Sequence, residues 1–325
     1  MKLSLFELCI TRPLGFLIRM IYEVVQNYGL AIILFTVIIK LILLPLQIKS
    51  QKAMKRQQKV QPIIAELQKK YANDQQKLQQ EMMKVYKENN ISMSGGCLPL
   101  LIQLPVLFAL YRVIQRPLTY IRGIDFTNQS VIENVKLVMS QMQEKFPEAI
   151  GNLANATVEQ INSTYQIQLS TWAEKLGRAK ELAWDINFNF LGLDLSGLPS
   201  TSLTAIMSGN FSDMGTVLLI LIPIFAILTT WLSMKYSQSM NPSAQTNSND
   251  DNPAQSMSKS MNMMMPIMTG FFTFTLPSGI GIYWIISSVM QMVQQFILNK
   301  YFDRKEDDFV VKLPDKNRKN SKKRR

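Results

Sequence analysis

The chain has 325 residues, with 35 Lys and Arg against 23 Asp and Glu for a net charge of +12, and it contains no histidine. Without imidazole there is no Ser-His-Asp triad and no His-ligated zinc or haem. Its two cysteines, Cys9 and Cys97, cannot build a four-thiolate cluster or a disulfide framework, so no metal or cofactor is expected. The excess of positive charge points to an acidic partner, RNA or anionic lipid, depending on where the charge sits.

In residues 1–23, Leu3, Phe6, Ile10, Leu14, Leu17, Ile18 and Ile21 recur at roughly helical spacing, punctuated by Glu7, Arg12, Arg19 and Glu23. This predicts an amphipathic helix lying in the membrane interface, bent at Pro13. Residues 24–48 carry a single charge, Lys40, and read as a first membrane span. Residues 49–90 read as a cytoplasmic helical hairpin, Lys49 to Tyr71 and Gln75 to Glu88, turning at Ala72-Asn73-Asp74. A narrow seam of Met54, Val60, Ile63, Ile64, Leu67, Leu78, Met82 and Val85 would zip it together and leave its basic surface free.

Residues 91–116 form the second expected span, followed by an external segment over residues 117–213. There the pattern predicts helices at Val131 to Phe146 and Thr157 to Leu182. The aromatic stretch Trp184 to Leu195 is expected to lie on the membrane interface. Residues 214–234 are uncharged and give a third span. Residues 235–259, rich in Ser, Asn and Gln, are too poor in bulky apolar groups to offset ordering entropy and read as a mobile cytoplasmic loop. The uncharged run from Ser260 to Asn299 would make about 60 Å of helix, twice the hydrocarbon thickness. It is expected to fold back at Pro277-Ser278-Gly279 into spans over 260–277 and 278–299. Residues 300–325 complete the chain as a basic cytoplasmic tail.

Residues 49–88 carry 10 basic and 4 acidic groups, residues 300–325 carry 11 and 5, and residues 112–213 carry 8 and 10. Five spans put both basic segments on one side, which makes the N-terminus external and the C-terminus cytoplasmic. The expected fold is an all-α polytopic membrane protein of five transmembrane helices around a hydrophilic groove.

The residue that asks for an explanation is Lys40. A lysine near mid-membrane costs about 2.5–3.5 kcal/mol to insert, and the sequence places no carboxylate in any span to neutralise it. A wet intramembrane cavity open to the cytoplasm would accommodate it. Thr36, one turn earlier, and Gln103, Thr230, Ser233, Trp284 and Ser287 on other spans are candidates to line the same groove, although each alone more often serves helix packing. Thr229, Ser288 and Gln291 are further polar positions on these spans. In the tail, Lys316, Arg318, Lys319, Lys322, Lys323, Arg324 and Arg325 offer contacts for polyanions, either ribosomal RNA or anionic headgroups.

Four stretches, FTVIIKLILLPLQIKSQKAM, QPIIAELQKKYANDQQKLQQEMMKVYKENN, SGGCLPLLIQLPVLFALYRVI and MMMPIMTGFFTFTLPSGIGIYWIISSVMQMVQQ, resemble the YidC family of membrane protein insertases. The resemblance covers roughly residues 20–120 and 184–302. It implies a protein of the bacterial cell membrane that inserts and chaperones other membrane proteins without ATP and is not an enzyme. No phosphate-binding Gly-Lys loop contradicts this. In this family the embedded cation is usually Arg; Lys40 takes that place, and Thr36 and Trp284 match groove positions. The implied partners are nascent membrane proteins, the ribosome through tail and hairpin, the Sec translocon and anionic lipids; insertion independent of that translocon is also implied. The large extra domain of Gram-negative members has no counterpart, which leads to the expectation of a short member from a single-membrane bacterium. The competing reading is a small anion transporter or channel subunit with Lys40 as the anion site. It would predict paired broken spans in two related halves, and no such internal symmetry is visible.

Overall fold

In the computed structural model, residues 5–91, 98–209, 214–239 and 253–304 are described. A π-helical turn at Glu7–Thr11 leads into α1 (Arg12–Val25), with Pro13 in its first turn, where a missing N–H costs no hydrogen bond. Gln26 ends α1 in the left-handed region at φ 48°. Helix α2 runs from Tyr28 to Ile42 and α3 from Leu44 to Lys70, with Pro45 at the start of α3. After α4 (Gln75–Glu88) come α5 (Leu98–Gln115) and α6 (Pro117–Tyr120). The segment that follows holds α7 (Gln129–Lys145), α8 (Pro147–Ile150), a 3-10 turn at Gly151–Asn155, α9 (Val158–Thr164) and α10 (Gln166–Lys175). A two-stranded antiparallel hairpin, β1 (Asn189–Phe190) with β2 (Leu193–Asp194), precedes α11 (Pro199–Met207). Helices α12 (Met214–Leu218), α13 (Leu221–Ser239), α14 (Pro253–Thr275) and α15 (Ser278–Arg304) complete the order.

The chain divides into two compact units. Met1–Lys40, Leu104–Leu232 and Ser258–Met290 form one; Leu41–Gln103, Ser233–Met257 and Gln291–Arg325 form the other. In the first, α2 buries Tyr28, Ala31, Ile32, Phe35, Thr36, Ile39 and Lys40, the spacing of a single helix face. A Cβ on Gly279 would come 2.9 Å from the Ile32 side chain, and one on Gly270 2.6 Å from Ile227. Glycine at these positions therefore lets α15 approach α2, and α14 approach α13, at the short range used between apolar helices.

Within this unit, the segment from α7 to β2 has its own core. Val135, Val138 and Met142 of α7 are buried, as are Ile161 of α9 and Leu169, Trp172 and Ala173 of α10. Trp184, Ile186 and Phe188 are buried at alternate positions, as an extended chain against one face requires. The Ser170 hydroxyl donates to the Trp184 carbonyl at 2.6 Å. Arg122 holds Asp185 by its Nε to the carbonyl at 2.8 Å and by an ion pair to the carboxylate at 2.8 Å.

In the second unit, α3 and α4 form the hairpin. Val60, Ile64, Val85, Tyr86 and Ile91 make its buried seam, with Ile63, Leu67 and Met82 packed against it. Asp74 caps α4 by accepting from the Lys77 amide at 3.0 Å. Lys70 and Lys77 each stand 5.3 Å from the Tyr71 ring centre at the turn.

Several sequence expectations change. The span read over 24–48 is not one helix: Val24 and Val25 belong to α1, and the helix breaks again at Leu43 because Pro45 favours the first turn of a new helix. Thr157 to Leu182 is two helices meeting at Tyr165, of which the second ends at Lys175. Trp184, expected on the membrane interface, is 1% exposed inside a protein core. Helix also occupies both ends of the segment read as a loop over 235–259, through Ser239 and from Pro253. Among the described residues, Ser278–Phe302 is the helix that is long and apolar enough by itself to cross a membrane. Tyr28–Ile42 qualifies taken together with Leu44–Lys70, and Met264–Thr275 is a shorter apolar helix.

Candidate functional site on the apolar helices

Lys40 lies on the buried face of α2 and is 5% exposed. Thr36 sits one turn before it on the same face, 1% exposed, and its hydroxyl donates to the Ile32 carbonyl at 2.6 Å. That local bond satisfies the threonine proton within its own helix. A buried ammonium with a hydroxyl at i−4 makes a positively charged, polar stretch on a helix that is otherwise apolar.

The remaining expected residues fall into two groups. In the first unit, with Lys40 and Thr36, are Thr230 on α13 and Trp284 and Ser287 on α15. Thr230 and Ser287 are buried, and the Thr230 hydroxyl lies 3.4 Å from that of Ser288, joining α13 to α15. Trp284 is half-buried and stacks on Phe272 of α14, with ring centres 6.4 Å apart and planes at 10°. Ser233, one turn after Thr230 on α13, and Gln103 of α5 belong to the second unit; Ser233 is buried and Gln103 half-buried. The seven basic residues expected to bind polyanions, Lys316 to Arg325, lie outside the described residues.

The second unit adds polar groups that sequence reasoning passed over. Ser50 Oγ, Tyr236 Oη and Gln295 Oε1 are buried with no hydrogen-bond partner among the described residues. Such groups cost about 1–3 kcal/mol each when unsatisfied, and water is their ordinary partner. The adjacent pair Gln294-Gln295 inside an uncharged apolar run was the signal that could have found Gln295.

A separate cavity of about 480 Å³ is lined by Phe6, Phe108, Tyr111, Arg112, Gln115, Arg116 and Ser163. None of the expected groove residues lines it.

The fold is mostly helical, and its apolar helices bury a lysine, several hydroxyls and the amides of Gln294 and Gln295. Residues 20–306 match the family described as 60Kd inner membrane protein, and the chain belongs to that family, the YidC family of membrane protein insertases. It is similar to the membrane protein insertase YidC of Clostridium perfringens (strain 13 / Type A), 30% identical over 320 residues that cover 97% of this chain and 92% of that protein. It is also similar to the YidC of Caldanaerobacter subterraneus subsp. tengcongensis, 30% identical over 287 residues, 87% of this chain and 91% of that protein. The match to the YidC of Syntrophobacter fumaroxidans, 28% over 292 residues, covers 90% of this chain but 38% of that longer protein.

Proposed function

We propose that this protein inserts helical segments of other proteins into the cell membrane, and holds them while they assemble, through a hydrophilic groove whose positive charge is Lys40. The observation that carries this reading is the burial of Lys40 on α2 beside Thr36. A mid-membrane cation is costly, so its presence calls for a wet or polar surrounding and for work that needs charge.

The mechanism follows from competing free energies. A client's acidic or polar tail dwells against Lys40, where an opposite charge about 4 Å away gains on the order of 4 kcal/mol at a protein-like dielectric. Its apolar residues gain about 0.8 kcal/mol for each methylene transferred to lipid. A span of some 20 residues therefore outweighs the polar hold and leaves sideways into the bilayer, with no nucleotide hydrolysed. The sequence agrees in having no phosphate-binding Gly-Lys loop. Lysine supplies a point charge rather than the bidentate fork of arginine, so attraction to an anion, more than shape, is what this site offers.

The same reading places five spans, the N-terminus outside, and the α3–α4 hairpin and tail in the cytoplasm, where their basic residues meet ribosomal RNA or anionic headgroups. Gln103, Thr230, Ser233, Trp284 and Ser287 are, with Thr36, the residues expected to line the groove. The Sec translocon is a candidate co-worker.

The test is rescue of insertase depletion by Lys40 variants, scored on one client with an acidic external tail and one with a neutral tail. Lys40→Arg retains insertion, Lys40→Ala fails most on the acidic client, and Lys40→Glu is worst on that client because it repels the tail. Equal activity of Lys40→Ala on both clients would refute the charge mechanism.

A further inference from the structure

The turn joining β1 to β2 places Leu191 at φ 53° and Gly192 at φ 81°. Left-handed conformation at both central residues suits a two-residue hairpin, where Asn, Asp or Gly is the usual occupant of the first position. Leucine is disfavoured there because its Cβ crowds the following carbonyl. Leu191 is also 86% exposed, whereas Phe188 and Leu195 on either side of the hairpin are buried. A bulky apolar side chain in a strained, outward position gains nothing from the protein around it.

Its location supplies the missing partner. The Asn27 side chain donates to the Asn189 carbonyl at 2.8 Å, and the Tyr28 amide donates to the Asn187 carbonyl at 2.9 Å. Gly29 meets the Phe190 ring so closely that a Cβ would lie 2.5 Å from it. These contacts fix β1 to the first turn of α2. Leu191 is two residues beyond Asn189, so at about 3.3 Å per residue the apex lies about 7 Å along the chain from the point where Asn189 meets that turn. The headgroup layer flanking the hydrocarbon is about 5–8 Å deep on each side, from total and core thicknesses of about 40–45 and 30 Å. Phe16, Met20 and Val24 form an exposed apolar stripe on α1 that ends at the same junction, with Val24 84% exposed.

We propose that Leu191 is a membrane contact: together with the α1 stripe it inserts into the outer-leaflet interface, so that the hairpin sets the depth of the outer end of the first span. The inference rests on the reading that the N-terminal end of α2 faces outward. Strain at the apex is then the local cost of presenting a leucine, rather than a polar turn residue, to lipid.

The experiment uses the full-length protein with Cys9→Ser and Cys97→Ser, reconstituted in phosphatidylglycerol and phosphatidylethanolamine vesicles. Leu191→Cys carries a nitrobenzoxadiazole label, and Glu181→Cys, whose native side chain is 64% exposed, serves as the reference. The expected result is blue-shifted emission at position 191 that is quenched by spin-labelled lipid, with water-like, unquenched emission at position 181. Resistance to trypsin equal to that of the unlabelled protein verifies folding, and Leu191→Asn, which keeps the left-handed turn, repeats that control without the label. Water-like, unquenched emission at position 191 in the trypsin-resistant protein would overturn the proposal. Cytoplasmic labelling of Asn155→Cys would instead overturn the topology, so the two failures are distinguishable.

Discussion

The backbone amide of Tyr28 donates to the carbonyl of Asn187 across 159 positions of sequence, at 2.9 Å. Tyr28 opens α2, so its amide has no partner within the helix, and the extended chain after Trp184 supplies one. The Asn187 amide in turn donates to the Tyr22 hydroxyl at 2.9 Å, and the Tyr28 hydroxyl donates to the Ile114 carbonyl at 3.0 Å. The start of α2, the end of α5 and the chain between Trp184 and β1 are thereby joined in one hydrogen-bonded node.

Overpacking at this node has a defined sign. A Cβ at Gly29 meets Phe190 at 2.5–2.8 Å, so Gly29→Ala is expected to destabilise by about 1–3 kcal/mol, read as a lowered thermal midpoint in detergent. Phe190→Ala in the same chain relieves the clash. A double-mutant cycle with no coupling between the two positions would show that they do not touch.

The segment from α7 to β2 owes its stability to its own core. Trp184→Ala is expected to cost about 3–5 kcal/mol, the range for truncating a fully buried aromatic. Limited proteolysis then cuts within residues 119–212 at a protease concentration that leaves the parent intact. A tryptophan lying on the bilayer would tolerate the change with little effect on proteolysis.

Topology is checked by labelling single cysteines in the Cys9→Ser, Cys97→Ser background. Gln75→Cys and Ser248→Cys react only from the cytoplasm, and Asn155→Cys only from outside. External labelling at position 75 would reverse the orientation read from the charge bias.

The tail offers seven phosphate contacts between Lys316 and Arg325. Ribosome co-sedimentation is expected to fall steeply with salt, with a slope on the order of one log unit per contact, and to drop when residues 315–325 are deleted. Binding unchanged by the deletion would move the ribosome contact to the α3–α4 hairpin.

What the sequence determined by itself are the features that local composition dictates. The α3–α4 hairpin was legible from two amphipathic runs around Asp74, because helix periodicity and a capping residue act within a few positions. Lys40 was conspicuous because a charge within an apolar run needs no neighbour to be recognised, and the resemblance to the insertase family rested on stretches contiguous in the chain. The tertiary structure decided the rest. Trp184, Ile186 and Phe188 read equally as interfacial or core residues, and only the packing of distant α7, α9 and α10 makes them a core. Leu191 was indistinguishable from its apolar neighbours until the backbone turned it outward at φ 53°. The limits of α2, set by the breaks at Gln26 and Leu43, were equally hidden. Hydropathy registers transfer from water without saying whether lipid or protein receives the side chain, and that choice belongs to contacts between residues far apart in the chain.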